Sequence, residues 1–134
     1  LDDKNRIRIP AKFKAELGAD YKLAFAPGNC IYVLPQNEYR KILDGFGEAS
    51  FFDAEKQEAI AAFTGMVYDV TEDNQGRIVI PSELKEYAQI DKDIVITGAA
   101  AYLRIEAAER FAERTKGVNM ADVFARLNAI GKGE

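Results

Sequence analysis

Two arginines in this sequence follow an aspartate at the same spacing, and their side chains are well suited to bind another molecule. Arg6 comes four residues after Asp2, and Arg77 comes four residues after Asp73. A guanidinium group presents a rigid fork of donors that can contact phosphate groups or the edges of bases. Alternatively, each arginine forms a salt bridge with its aspartate and only fixes a turn. Because phosphate repels carboxylates, we expect Asp2 and Asp73 to cap a turn and orient the arginine.

More basic residues surround the first arginine than the second. Residues 1–14 carry five Lys or Arg against two Asp, whereas residues 72–85 carry two against three acidic residues. The basic side chains of the first window form either a phosphate-binding face or an ordinary solvated surface. The net charge of -4 argues against nucleic acid when it is taken over the whole chain. The distribution instead predicts that the first window binds phosphate better, and that Arg6 matters more than Arg77.

The residue types that enzyme chemistry needs are scarce. The chain has no His, which removes the commonest general base and metal ligand. Cys30 is the single cysteine, and we interpret it as small core filling. The sequence has no P-loop, no Gly-x-Gly-x-x-Gly pattern and no Cys-x-x-Cys pair. It also has no apolar stretch of membrane-spanning length. We therefore predict neither an enzyme nor a metal, cofactor, small-molecule substrate or membrane partner.

The two arginines belong to an internal repeat. Residues 2–10 match residues 73–81 in one pattern, Asp-x-x-x-Arg-Ile-x-Ile-Pro. The same offset continues through Phe13 and Leu84, Lys14 and Lys85, Asp20 and Asp91, Leu34 and Ile105, and Glu38 and Glu109. We predict a first module at residues 1–50, a helical spacer at 51–64, a second module at 65–116, and a C-terminal amphipathic helix and tail at 117–134.

Each module has the same predicted order of elements. A polar turn precedes a short strand, and a proline then ends the strand and begins a short helix. A hairpin of two strands and a closing helix complete the module. The turn needs a left-handed residue, which Gly76 supplies readily and Asn5 tolerates. The predicted strands are 6–9, 22–26 and 30–34 in the first module and 77–80, 93–97 and 101–105 in the second, with closing helices at 35–46 and 106–114.

Further elements lie outside the repeat. A strand is predicted at residues 65–71, before the second turn, and a matching strand of about seven to nine residues is expected upstream of Leu1. Asp53 is a candidate N-cap for the spacer helix, and Asn119 is a candidate N-cap for the last helix. The tail from Gly131 to Glu134 is predicted to fray.

The doubled Asp-x-x-x-Arg-Ile-x-Ile-Pro pattern resembles that of the MraZ family of bacterial transcription regulators, and the resemblance covers essentially the whole chain. It implies two fused AbrB-like swapped-hairpin modules that form a pseudo-two-fold barrel, a mainly β fold with flanking helices. It further implies a homo-oligomeric ring that binds short DNA repeats upstream of the division and cell-wall gene cluster containing its own gene. Asn5 stands where that family usually has Gly, and Asn can reach the same backbone region.

The resemblance favours contact of both arginines with double-stranded DNA in the cytoplasm, at the nucleoid. The candidate DNA-binding residues are Arg6, Arg77, Lys4, Arg8, Lys12, Lys14 and Gln75, and the residues expected to orient the turns are Asp2, Asp73, Asn5 and Gly76. Two alternatives remain open. One is a ring that uses the same fold only to hold protein partners. The other is an antitoxin-like AbrB relative, which the ordered pattern of the C-terminal residues argues against.

Overall fold

A computed structural model describes residues 1–47 and 49–131 of the chain. Among these residues, six helices hold more of the chain than seven strands do, because several of the strands are only two or three residues long. The prediction of a mainly β protein is therefore wrong in proportion, although α and β elements both occur. The elements are β1 (Arg6–Arg8), α1 (Ala11–Leu17), β2 (Tyr21–Ala26), β3 (Cys30–Pro35), α2 (Gln36–Phe46), α3 (Ala54–Gly65), β4 (Tyr68–Asp69), β5 (Arg77–Val79), α4 (Ser82–Tyr87), β6 (Ile94–Ala99), β7 (Tyr102–Ala107), α5 (Ala108–Thr115) and α6 (Met120–Gly131).

The first strand of each repeat pairs with the first strand of the other. Strands β1 and β5 form an antiparallel two-stranded ribbon, whose register is Arg6 with Val79, Ile7 with Ile78, and Arg8 with Arg77. Ile7 and Ile78 hold the same position of the repeat, and the pairs on either side of them exchange equivalent positions. A two-fold axis through the Ile7–Ile78 pair would produce this register.

The remaining strands form one antiparallel sheet of order β4-β2-β3-β7-β6. Its centre joins the two repeats, because β3 pairs with β7 and Tyr32 lies opposite Arg104. Strand β4, which precedes the second turn, pairs with β2 of the first repeat. Neither sheet closes on itself within the described residues, so the barrel and the strand upstream of Leu1 stay predictions.

The predicted matches of Asp20 with Asp91, Leu34 with Ile105 and Glu38 with Glu109 in the repeat are wrong. The backbone oxygens of Asp20 and Asp93 accept equivalent hydrogen bonds, from Gln36 and Ala108. Strands β3 and β7 each end at the residue that caps the following helix, Pro35 and Ala107. These two residues are 72 positions apart, whereas Ile7 and Ile78 are 71 apart, so Leu34 corresponds to Glu106. The offset changes because the connection from α4 to β6 is longer than that from α1 to β2, while the β6–β7 turn is one residue shorter than the β2–β3 turn.

Buried apolar side chains from both repeats form one core. Ile7, Ile9, Ile78 and Ile80 lie in it together with residues of both hairpins. Cys30 is fully buried, as predicted for core filling. Burial raises the pKa of its thiol, which therefore stays protonated at neutral pH. The core fixes the inner face of the ribbon and leaves the opposite face to solvent.

The ends of some elements in the structure differ from the predicted ones. The strand predicted at residues 65–71 is reduced to Tyr68–Asp69, because α3 continues to Gly65. The predicted N-caps are confirmed: Asp53 accepts a hydrogen bond from the backbone N–H of Lys56, and Asn119 accepts one from Ala121. Apart from Gly131, the tail predicted to fray lies outside the described residues. No helix in the part of the chain that the structure describes has the length and apolar character needed to cross a bilayer.

Candidate nucleic-acid interface

The first turn is built around the carboxylate of Asp2. Its Oδ1 accepts hydrogen bonds from the backbone N–H groups of Lys4 at 3.0 Å and Arg6 at 2.8 Å. Its Oδ2 accepts a third, from Nε of the Arg6 side chain, at 2.8 Å. The backbone hydrogen bond from Arg6 is the largest cause that lowers the pKa of Asp2 from its ordinary value. The aspartate is therefore ionised at neutral pH, and it fixes both the turn and the arginine.

The second turn repeats this geometry atom for atom. Oδ1 of Asp73 accepts from the backbone N–H groups of Gln75 and Arg77, both at 2.9 Å, and Oδ2 accepts from Nε of Arg77 at 2.8 Å. The backbone hydrogen bond from Arg77 is again the largest cause of a lowered pKa, here that of Asp73. Gly76 has a φ of 75°, and Asn5 at the matching position has a φ of 59°. Asn5 therefore adopts the left-handed conformation that Gly adopts in the second copy.

The two turns are held by residues of the opposite repeat. Nζ of Lys14, on α1, lies 2.6 Å from Oε1 of Glu72, just before the second turn. Nζ of Lys85, at the matching position of α4, donates to Oδ1 of Asn5 in the first turn at 2.9 Å. Each short helix therefore supports the turn of the other module. Lys14 was predicted as a DNA contact; its side chain is 36% exposed and paired with Glu72, and the DNA contact stays a prediction.

The outward face of the ribbon carries three arginines and one valine. Because strand side chains alternate between faces, burial of Ile7 and Ile78 directs their neighbours outward. Arg8 and Arg77 lie opposite each other on that face, and like charges directly opposite each other destabilise an antiparallel pair. Nε of Arg8 donates to the backbone oxygen of Gln75 at 3.0 Å, which draws it to the second turn. Arg6 and Arg77 are paired with Asp2 and Asp73, and Nη1 of Arg77 also lies 3.9 Å from Oδ2 of Asp2, so the two aspartates partly offset the positive charge of this face.

The remaining predicted residues lie at the margins of this face. Lys4 and Gln75 are exposed within the two turns. Lys12 is exposed on α1, and its Nζ lies 5.0 Å from the centre of the Phe13 ring. It lines an open groove that Arg6 and Arg8 also line. The structure therefore gathers the predicted basic residues around the ribbon, with Lys14 facing Glu72.

Sequence reasoning missed three residues of this region. Glu72 and Lys85 hold the turns, and Val79 is 57% exposed beside the arginines. Lys14 and Lys85 hold the same position in the two repeats, and this match could have indicated that they share a role. The two charge windows are not separate in space, because Arg8 of the first window contacts the second turn. Arg77 lies near the carboxylates of both Asp73 and Asp2, and the ranking of Arg6 above Arg77 stays a prediction.

Among the described residues, no group of three or more His, Cys, Asp or Glu side chains could hold a metal ion. Two copies of one module, paired through the arginine-bearing β1–β5 ribbon, define an α+β protein whose candidate site is an exposed surface of arginine and lysine side chains.

The sequence matches the MraZ protein family, described as antitoxin-like, over residues 1–60 and 63–126. The chain is 34% identical over 132 residues to a protein named transcriptional regulator MraZ from Clostridium tetani, covering 98% of this chain and 93% of that protein. It is also 34% identical to the protein of that name from Syntrophomonas wolfei, over 84% of this chain and 79% of that protein. A third, from Salinispora tropica, is 34% identical over 95% and 88%.

This chain belongs to the MraZ family. The resemblance inferred from the doubled motif is therefore confirmed. These relatives are named as transcriptional regulators, which confirms the prediction that the chain is not an enzyme.

Proposed function

We propose that this chain is a sequence-specific DNA-binding regulator of transcription that contacts double-stranded DNA with the outward face of the β1–β5 ribbon. The observation that carries the proposal is the presence of Arg6, Arg8 and Arg77 on one face of the ribbon. Arg6 and Arg77 are paired with aspartates of the turns, whereas the exposed Arg8 donates from Nε to a backbone oxygen, so its charge is available to an anion from outside. The phosphate backbone of DNA is such an anion.

The ribbon also suits sequence readout. The major groove of DNA admits a two-stranded β-ribbon, and arginine recognises guanine through two parallel hydrogen bonds. Nε of Arg6 donates to the carboxylate of Asp2. The two terminal nitrogens of Arg6 are therefore the atoms that can donate to a base. Arg77 is held through Nε by Asp73 in the same way, and its Nη1 also lies 3.9 Å from Oδ2 of Asp2. We assign both arginines to base contacts and give Arg6 the larger weight, because Arg77 has a second carboxylate near its terminal nitrogens.

We expect most of the other candidate residues to contact the DNA backbone. Lys4, Lys12 and Gln75 are exposed around the ribbon, where they can contact phosphates on either side of the groove. Lys14 supports the second turn through Glu72, and we assign it an indirect role. Asp2 and Asp73 orient the arginines and make no base contact of their own.

The family resemblance implies which DNA the protein binds and where in the cell it does so. The expected targets are repeats in the promoter upstream of the division and cell-wall gene cluster that contains the protein's own gene, and binding there puts the protein at the nucleoid. The regulator needs no cofactor in this proposal. The test is a mobility-shift titration of the chain with that upstream DNA and with a scrambled duplex, at two salt concentrations. Equal binding to both duplexes would contradict sequence-specific binding.

We also propose a homo-oligomeric ring. Helix α6 exposes Phe124, Leu127 and Ile130, which recur at helical spacing along one face. Covering this face with a neighbouring copy would remove apolar surface from water.

Within each chain, the two-fold register of β1–β5 and β3–β7 supports a pseudo-two-fold swapped-hairpin barrel. Retention of the ring without any DNA binding would favour the rival function of a scaffold for protein partners.

A further inference from the structure

The two strands of the ribbon pair in a two-fold register but differ in residue type at one outward position. Val79 holds the place in the second repeat that Arg8 holds in the first, and both side chains are exposed on the outward face. Val79 lies opposite Arg6, whereas Arg8 lies opposite Arg77. One end of the face therefore has two facing arginines, and the other has one arginine facing an apolar side chain that is 57% exposed.

We propose that Val79 determines DNA specificity by contacting the C5 methyl group of a thymine in the major groove, and that this contact fixes the orientation of the protein on its DNA. The proposal rests on the proposed function of the ribbon. Thymine is the base whose methyl group offers an apolar contact in that groove, whereas arginine matches guanine. With arginine at both equivalent positions, the outward face of the ribbon strands would present the same side chains in either orientation. Exchange of one arginine for valine makes the two orientations unequal.

The place of Val79 in the fold leaves its side chain available for this contact. Its neighbours Ile78 and Ile80 are almost fully buried and supply the apolar contacts of β5 with the core. A β-branched residue also favours a strand on structural grounds alone. Removing a methyl group from the DNA separates the two roles, because it leaves the protein unchanged.

The experiment begins with selection of sequences from a randomised double-stranded DNA library by the wild-type chain and by Val79→Arg. The selected duplex is then titrated with each thymine replaced in turn by deoxyuridine, which lacks only the C5 methyl group. We expect one replacement to weaken wild-type binding about fourfold, the effect of one buried methyl group. Val79→Arg should be insensitive to that replacement and should select guanine at the same position. Val118→Ala, which shortens an exposed valine outside the ribbon, is the matched control and should behave as wild type.

The outcomes separate this proposal from the one it rests on. If the wild type selects a sequence but no deoxyuridine replacement changes its affinity, or if Val79→Arg responds as the wild type does, Val79 does not contact a thymine methyl group. Selection of no preferred sequence by the wild type would refute the proposed function itself. Circular dichroism of both variants establishes that the fold is intact.

Discussion

Oε1 of Glu72 lies 2.6 Å from Nζ of Lys14 and accepts a hydrogen bond from the hydroxyl of Tyr21 at 2.9 Å. The lysine and the tyrosine belong to the first repeat, and the glutamate immediately precedes the second turn. Lys14 is the largest cause that lowers the pKa of Glu72, which holds the carboxylate ionised. Lys14 of the first repeat thus pairs with Glu72 beside the second turn. Together with the contact of Lys85 with Asn5, this pair connects each turn to the helix of the other repeat.

This relationship predicts different roles for two neighbouring lysines. Lys14→Met should lower the free energy of unfolding by about 0.5–1 kcal/mol, because the ion pair is about one-third exposed. Lys12→Met should lower the slope of log affinity against log salt by about 0.9, the effect of one lost phosphate contact. Urea denaturation and DNA titration across a salt series measure the two effects. A larger loss of DNA affinity in Lys14→Met than in Lys12→Met would contradict these assignments.

The aspartates of the turns predict an acid-sensitive contribution to stability. The folded protein lowers the pKa of Asp2 and Asp73 below 3.8, so their contribution is complete above that pH and is lost as the pH falls further. Asp2→Asn with Asp73→Asn should therefore reduce stability at pH 7 and lessen the fall in stability below about pH 4. Denaturant titrations at pH 7 and pH 3 measure both changes. Asp3→Asn, an exposed aspartate beside Asp2, is the control, and an equal effect there would contradict the prediction.

A buried carboxylate in the second repeat predicts a strong effect on stability. Glu106 is 1% exposed, its Oε1 lies 2.5 Å from Nη2 of Arg114, and its Oε2 lies 3.5 Å from Nη2 of Arg104. Glu106→Ala should cost about 3 kcal/mol, near the low end for a broken buried pair because Arg114 is 45% exposed. Glu106→Leu with Arg114→Met should recover part of that loss, since Leu34 holds the matching position in the first repeat. Urea denaturation provides the measurement, and a double variant less stable than Glu106→Ala would contradict it.

The apolar face of α6 predicts the oligomeric state. Phe124→Glu with Leu127→Glu places two charges on that face and should convert the proposed ring into smaller species. Ala125→Glu adds a charge on roughly the opposite side of the helix and is the matched control. Light scattering coupled to size-exclusion chromatography gives the mass of each. An unchanged mass for the double variant would exclude α6 from the subunit contact.

The sequence predicts local elements of this fold well and contacts between modules poorly. The order of turn, strand, proline and helix was predicted because Asp2, Asn5 and Pro10 act on their own neighbours. The pairing of β1 with β5 was not, since no local signal specifies which strand covers the other. The hairpin offset was misjudged because the longer α4–β6 connection shifts the second hairpin without altering its alternating pattern. Glu106 could have been noticed as an acidic residue in an apolar strand.

The central claim is that the ribbon arginines bind DNA, and titration of three arginine variants tests it most directly. Arg6→Ala, Arg77→Ala and the control Arg40→Ala, an exposed arginine on α2, are titrated against upstream and scrambled duplexes at several salt concentrations. We expect each ribbon variant to lose about 1–3 kcal/mol of preference for the upstream duplex, with the larger loss for Arg6→Ala, and Arg40→Ala to keep it. Full preference in folded Arg6→Ala and Arg77→Ala would show that these arginines only stabilise the turns, and would contradict the account.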